Sequence, residues 1–341
     1  MKKIATADAV GHVICHDITR IIKDVVKDTA FYKGHIVTEE DIPVLLSLGK
    51  DHLYVWEKNE NMLHENEAAE ILFNICKNEN ITGTPVKEGK IELVSMIDGL
   101  FRIDVDRLNT INELDDIMIA SRHNNYPVKK GDKLAGTRII PLVIEKEKME
   151  KVKQTAGIKP LMEVLPYKKM KAGIVTTGNE VFFGRIKDTF TSVIEEKLKA
   201  YFIDICGHIT VNDNLEKITS AILELKNKGA DMIVCTGGMS VDPDDLTPGA
   251  IRNTGANIVS YGAPVLPGAM FLLAYYDDGT PVMGLPGCVM YAKATIFDLV
   301  LPRICAGVKV TKKELARMGN GGFCLGCSPC HFPNCGFGKG I

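Results

Sequence analysis

No block of like charge runs through this chain: 41 basic and 43 acidic residues leave a formal net charge of −2. A basic arm for nucleic acid or for an acidic membrane surface is excluded, so any anionic ligand must be held by local groups rather than by a global field. Long apolar runs are missing too. The most apolar-looking segment, 266–276, is far too short to span a bilayer. Asp8 and His12 interrupt the stretch behind the basic start Met1-Lys2-Lys3, which argues against a signal peptide. No fixed-period repeat is present. These absences predict a cytoplasmic protein that engages neither nucleic acid nor membrane. In that compartment the ten cysteines read as reduced thiols or metal ligands, not disulfides. Six of them (Cys15, Cys76, Cys206, Cys235, Cys288 and Cys305) are scattered and suit core packing.

What is present is enough for two or three domains: 341 residues, 45% of them hydrophobic. Residues 1–165 read as a mixed α+β region. Gly34-His35-Ile36-Val37 looks like a strand entering a helix that Thr38 caps, with Pro43 in the first turn and Gly49 beyond its end. Residues 53–56 form a short strand, and Trp56 is a packing residue at a domain contact. Residues 67–77 place Ala68, Ile71, Leu72 and Ile75 on one helical face. Short strands and turns follow over 82–143. The charged run 145–153 is a solvated helix that leads through Pro160 and Pro166 into the next domain. His12, His16, His35 and His52 are not spaced as a compact metal set, and His16-Asp17 suits a turn or cap.

Over 166–310 the pattern becomes β-α-β-α-β. Apolar strands are expected at 172–176, 202–206, 232–235, 256–259 and 281–284. Helices are expected at 189–200, 214–228 and 291–305, with a further helix start at Thr247-Pro248. That alternation predicts a mostly parallel three-layer α/β domain covered on both faces. In such sheets ligands sit beyond the carboxyl ends of the strands. Polar motifs fall at those places: Thr177-Gly178-Asn179-Glu180, Val211-Asn212-Asp213-Asn214, Thr236-Gly237-Gly238-Met239-Ser240, and Gly284-Leu285-Pro286-Gly287. Gly237 and Gly238 let backbone approach a ligand, and Ser240 adds a hydroxyl. Thr247 as N-cap, with Pro248 at the first helical position, would aim free N–H groups at a phosphate. Asp242, Asp244 and Asp245 make sense beside such an anion if a hard cation, Mg²⁺, lies between. Asp213 and Glu180 would complete an acidic rim. A lone Gly-Gly is commonly a turn, and Asp-Pro-Asp-Asp a solvated loop. Several such motifs at successive strand ends favour a ligand site.

These residues carry a resemblance. Thr236-Gly237-Gly238 followed by Asp244-Asp245-Leu246-Thr247-Pro248 resembles the domain shared by molybdopterin adenylyltransferases and molybdopterin molybdenumtransferases. Thr177-Gly178-Asn179-Glu180 with Ile186-Lys187-Asp188, and Gly284-Leu285-Pro286-Gly287, are similar to the molybdenumtransferase version. So are Val10-Gly11, His16-Asp17-Ile18-Thr19 and Lys33-Gly34-His35 to Asp41-Ile42 near the start. The Asp-Asp-Leu-Thr-Pro loop is closer to the adenylyltransferase form, and 82–165 offers no motif to match. The resemblance implies that Asp213 and Asp245 stand at a catalytic or metal-binding centre with Glu180 beside them. It implies that Gly237, Gly238 and Ser240 hold the terminal phosphate of the pterin. Thr177, Gly178, Thr236, Thr247, Pro286 and Gly287 would line the pocket. It further implies Mg²⁺, adenylylated molybdopterin and molybdate as ligands, insertion of molybdate with hydrolysis of the nucleotide bond, and a homo-oligomer. Two alternatives stay open. One is a molybdopterin carrier or chaperone for an apo-molybdoenzyme. The other is a nicotinamide-nucleotide amidohydrolase, because the competence-damage-inducible family has a related domain.

Residues 311–341 form a Cys-rich tail. Cys324, Cys327, Cys330 and Cys335 have the spacing C-x2-C-x2-C-x4-C, compatible with one zinc ion or an iron–sulfur cluster. His331 could replace one thiolate. A soft tail of reactive thiols behind the linker 319–322 and transient delivery of a soft metal or sulfur to the pterin pocket are the other readings.

Overall fold

The computed structural model describes residues 2–22, 26–55, 61–243 and 245–340; Trp56 and Asp244 therefore lie outside the described residues. The chain divides into two compact units. One comprises 1–96, 103–122 and 131–163, the other 97–102, 123–130 and 164–341. Among the described residues no helix is long and apolar enough to cross a membrane.

The first unit is built on an antiparallel sheet in the order Ile81–Gly83, Ile91–Ser95, Lys133–Ile139, Ile117–Ser121. Ile91–Ser95 alternates buried and half-buried positions, as a sheet with one covered face requires. The helix Glu65–Cys76 covers that face and buries Ala68, Ala69, Leu72 and Cys76. It begins two residues earlier than the apolar spacing predicts because His64 caps it. The His64 ring accepts from Asn66 N–H at 3.2 Å, and Glu67 accepts from His64 N–H at 2.8 Å. The capping expected of Thr38 is not seen. The helix there is Asp41–Ser47, its N-cap is Glu40 with no side-chain bond, and Pro43 does lie in the first turn. Asp41 takes over the polar work, accepting from Thr38 N–H at 2.8 Å and meeting His35 Nε2 at 2.6 Å. The charged run becomes the helix Lys146–Ala156, ended by Gly157 at φ 68°.

The second unit holds the parallel domain. Its strands are β1 (Lys171–Thr177), β2 (Asp204–Val211), β3 (Met232–Thr236), β4 (Asn257–Tyr261), β5 (Leu272–Tyr275) and β6 (Pro281–Leu285). Its helices are α1 (Asn179–Phe182), α2 (Phe190–Lys199), α3 (Leu215–Asn227), α4 (Thr247–Asn253), α5 (Ile296–Cys305) and α6 (Lys312–Arg317). The sheet order is β2-β1-β3-β6-β5-β4; the first four strands run parallel and the last two join antiparallel. Alternate residues of the central strands enter opposite cores. Ala172, Ile174, Met232 and Val234 face α2 and α5, while Val175, Ile233 and Cys235 face α3 and α4. Both clusters are apolar, and each fully buried Val, Leu, Ile or Phe contributes about 1.5–3 kcal/mol. Gly173 interrupts β1 because a Cβ there would lie 2.8 Å from Leu225 on α3.

The strand β5 and the helices α1 and α6 were not among the elements expected from the sequence, and two further boundaries are shifted. β2 begins at Asp204 because Phe202 turns the chain at φ 58°, and it continues through Gly207-His208-Ile209-Thr210 as an edge strand. The last helix begins at Ile296, not near 291. Thr295 and Asp298 form a capping box there, behind a short 3₁₀ turn at Gly287–Met290. Cys15, Cys76, Cys235 and Cys305 are buried. Burial pushes the Cys76, Cys235 and Cys305 thiols up to about 12, so they stay protonated core residues.

Candidate functional site

The carboxyl ends of β1, β3 and β6 stand level, with Thr176 beside Thr236 and Thr236 beside Leu285. The loop that leaves β1 carries Gly178 at φ 137°, a conformation reserved for glycine. A Cβ on Gly178 would lie 2.8 Å from Glu180 Oε1, so the exposed Glu180 carboxylate folds back over the glycine. The next residue, Asn179, donates its backbone N–H to Asp213 Oδ2 at 2.9 Å. Gly178, Glu180 and Asp213 are thereby brought together from the ends of β1 and β2.

A second group adjoins it. Gly237 and Gly238 both have positive φ, 83° and 56°, and a Cβ on Gly237 would overlap the Thr177 carbonyl. The Thr247 hydroxyl donates to Gly237 O at 2.8 Å and lies 3.3 Å from the Thr177 hydroxyl. The glycines thus let the loop after β3 press against the tip of β1. This corrects one expectation: Thr247 is not the N-cap of α4. Leu246 occupies that position without a side-chain bond, Thr247 and Pro248 are the first two helical residues, and Thr247 is fully buried as a clasp. The physical reason is the Gly-Gly turn, whose Gly237 carbonyl needs a donor more than the helix needs a cap.

The rest of that loop is pinned from two sides. Met239 packs on Gly284 of β6, where a Cβ would meet its sulfur at 2.5 Å. The Tyr261 hydroxyl on β4 reaches the carbonyls of Met239 at 3.0 Å and Ser240 at 2.9 Å. Burial, with the nearby Asp245 carboxylate, pushes the Tyr261 phenol above its ordinary value, so it remains a donor. Asp245 Oδ2 accepts from Asp242 N–H at 3.1 Å and Asp245 N–H returns to Asp242 O at 3.0 Å, closing a turn. Ser240 and Asp242 are exposed, Asp245 is half-buried, Pro286 is buried and Gly287 is exposed. Among the described residues no three His, Cys, Asp or Glu side chains are grouped to hold a metal ion.

One polar cluster beside the site escaped the sequence reading. The Thr176 hydroxyl lies 2.9 Å from His208 Nε2 and 3.1 Å from the Thr191 hydroxyl, which donates to Asp188 Oδ2 at 2.5 Å. Thr236 donates to Thr176 at 3.4 Å. Burial works to raise the Asp188 carboxyl, but bonds from the Thr191 hydroxyl and the N–H groups of Thr191 and Phe190 outweigh it and hold it below the usual range. The available signal was a threonine closing each of two apolar strands.

The Cys-rich tail packs within the second unit. Gly322 O and Cys324 N–H pair with Leu266, and Gly338 N–H closes the segment onto Gly321 O at 2.9 Å. Cys324 and Cys335 pack against the apolar core, while Cys327 and Cys330 are exposed.

Comparison with known proteins divides the chain in the same region. Residues 173–306 match the family described as "Probable molybdopterin binding domain". That match covers less than half of the chain and coincides with the parallel α/β domain. Residues 3–57 match a family described as a domain of unknown function (DUF8806). A protein of Bacillus mycoides named as competence-damage inducible is 38% identical over 85 residues, 25% of this chain and 20% of that one. The chain therefore spans about a fifth of the length of such relatives. Among solved structures, the molybdopterin biosynthesis enzyme MoaB of Thermus thermophilus is 22% identical, with 40% of this chain and 91% of that one covered at a TM-score of 0.32. The tungsten cofactor synthesizing protein MoaB of Pyrococcus furiosus is 20% identical, with 40% and 92% covered at 0.33.

Proposed function

We propose that the second unit binds a phosphorylated pterin of the molybdopterin type and serves molybdenum-cofactor assembly, accepting adenylylated molybdopterin and promoting molybdate insertion. The observation that carries this reading is the meeting of Gly178, Glu180 and Asp213 with the Thr177–Gly237–Thr247 clasp at one edge of the sheet. Backbone there is close-packed and glycine-rich, and carboxylates stand beside it. Asp213, oriented by the Asn179 N–H, is placed to position the oxygen that attacks the nucleotide phosphate and to take its proton. Asp245, held in its turn by Asp242, supplies the second carboxylate. Among the described residues no cation cage is formed. A Mg²⁺ ion is ordinarily held by one or two carboxylates, waters and substrate phosphate oxygens, so it would arrive with the nucleotide and be met by Asp213 or Asp245. A carrier for an apo-molybdoenzyme is the second reading, favoured because both carboxylates accept backbone N–H bonds.

The test supplies full-length protein with adenylylated molybdopterin, Mg²⁺ and molybdate, and follows nucleotide release and pterin-bound molybdenum. Turnover that falls by roughly 10²–10⁴-fold in Asp245→Asn, with unfolding unchanged, supports catalysis. Tight pterin binding without turnover supports the carrier, and no binding of any molybdopterin species ends both readings. Deamidation of nicotinamide mononucleotide in the same preparation would replace them with the amidohydrolase.

A further inference from the structure

Immediately beyond the acidic edge the chain exposes what a folded domain normally covers. The short helix α1 buries none of its residues. Phe182 is 43% exposed, Phe183 58% and Ile186 54%. Phe182 and Phe183 are in ring contact and Ile186 is exposed close by in sequence, and apolar residues exposed together mark a binding surface more than an isolated one does. The rings meet edge to face, their centroids 5.2 Å apart at 81°. Each also has a cation over it. Arg185 lies 5.4 Å from the Phe183 centroid and Lys217, from the first turn of α3, lies 5.8 Å from that of Phe182. Arg185, Lys187 and Lys217 are exposed and none is in an ion pair among the described residues.

We infer that the perpendicular rings of Phe182 and Phe183 form a platform that takes the flat, nitrogen-rich ring of the phosphorylated ligand, one by face-to-face stacking and the other by edge contact, with the exposed cations Arg185, Lys187 and Lys217 available to its anionic ester. This rests on the pterin-binding reading above. The placement follows from the chain itself: Asn179, which holds Asp213, opens the helix that ends at Phe182. The phenyl pair therefore lies one short helix away from the residue that fixes Asp213. The chemistry is complementary in both parts. Aromatic faces are tolerant partners for any heterocycle, and neighbouring cations favour a ligand that pairs such a ring with a phosphate. An acidic sheet edge alone would repel that phosphate, so the cationic rim accounts for how an anion is admitted beside Glu180 and Asp213. Pterin and adenine share the needed chemistry, and the experiment separates them.

Full-length protein is titrated with neopterin phosphate, followed by pterin fluorescence, and with AMP and inorganic phosphate, followed calorimetrically. The Phe182→Ala/Phe183→Ala double variant is expected to bind the stacked ligand roughly ten- to a hundred-fold more weakly. The Phe182→Tyr/Phe183→Tyr variant should restore binding, and inorganic phosphate should bind alike to all three. Loss for neopterin phosphate alone assigns the platform to the pterin, and loss for AMP alone assigns it to the nucleotide. Wild-type binding with an unchanged alanine variant overturns the platform and leaves the pterin reading standing. Wild-type protein that binds neither ring overturns both. Capture of a protein partner through the patch, with ring binding unaltered, likewise overturns the platform.

Discussion

The helix Glu65–Cys76 in the first unit and the strand Lys171–Thr177 in the second place their polar groups differently. The first unit covers one face of an antiparallel sheet, and its polar side chains serve local ends: His64 caps a helix, Asp41 ties His35 to Thr38, and Asn112 clamps both the N–H and the C=O of Ile119 at 2.9 Å. The second unit buries its central strands on both faces, so their polar side chains are confined to the strand ends. The hydroxyls, carboxylates and glycines collect at the strand tips instead, where Thr176, Thr177, Thr236, Gly237 and Asp213 meet. A doubly covered parallel sheet thus concentrates its chemistry at one edge, while a half-covered antiparallel sheet disperses it.

That contrast can be broken most forcefully at Gly237. Gly237→Ala combines a positive φ with overlap of the Thr177 carbonyl, and should cost about 2–4 kcal/mol. Hydrogen exchange read separately for each unit should show the loss in β1 and β3 only. Protection that falls equally in the first unit would refute a clasp local to the second.

A smaller effect is expected at His64. His64→Ala removes the N-cap of a packed helix and should cost the first unit roughly 1–2 kcal/mol. The same residue gives the first unit a pH dependence. Burial pushes the His64 imidazole below its ordinary value, against the Cys15 carbonyl that accepts from it. His16 is lowered as well, again by burial first. A base whose folded pKa is depressed binds fewer protons in the native state. Stability is then fully present above the unfolded value of about 6.5 and declines as pH falls below it. Denaturant midpoints for the first unit should therefore drop between neutral and mildly acid pH, and His64→Ala should flatten that slope. A slope unchanged by the substitution would assign the effect elsewhere.

The smallest effect is predicted on the surface of α3. Lys228 pairs with Glu224 at 2.6 Å, but both side chains are 54% exposed. Lys228→Ala should move stability by no more than about 0.5 kcal/mol, less still at high salt. A larger change would mean that surface charge matters more to the second unit than its doubly buried sheet suggests.

The order of the four parallel strands and of α2, α3, α4 and α5 was legible because the apolar runs there are short and separated by Gly and Asn turns, whereas the antiparallel strand β5 was not read from its apolar segment. The motifs at the strand tips were legible for the same reason. The Thr176–Thr191–Asp188–His208 cluster was not, since its members lie up to 32 residues apart and only the parallel pairing of β1 with β2 joins them. Thr247 shows the limit on a single residue: its neighbourhood reads as a cap, yet the donor is claimed by a carbonyl ten residues away. His64 is the converse, because histidine is not among the preferred caps and its role appears only once the helix packs.

The amino-acid order by itself determined where this chain is doubly apolar, where it must turn and which polar residues follow each strand, because periodicity and glycine conformation act over neighbouring residues. Tertiary structure alone decided which of those polar groups bond each other and which face outward. It set Asp213 against Asn179 and Gly237 against Thr177, and it left Phe182 and Phe183 exposed. The reason is range: a hydrogen bond or a steric contact between strand tips depends on three-dimensional placement that no local pattern encodes.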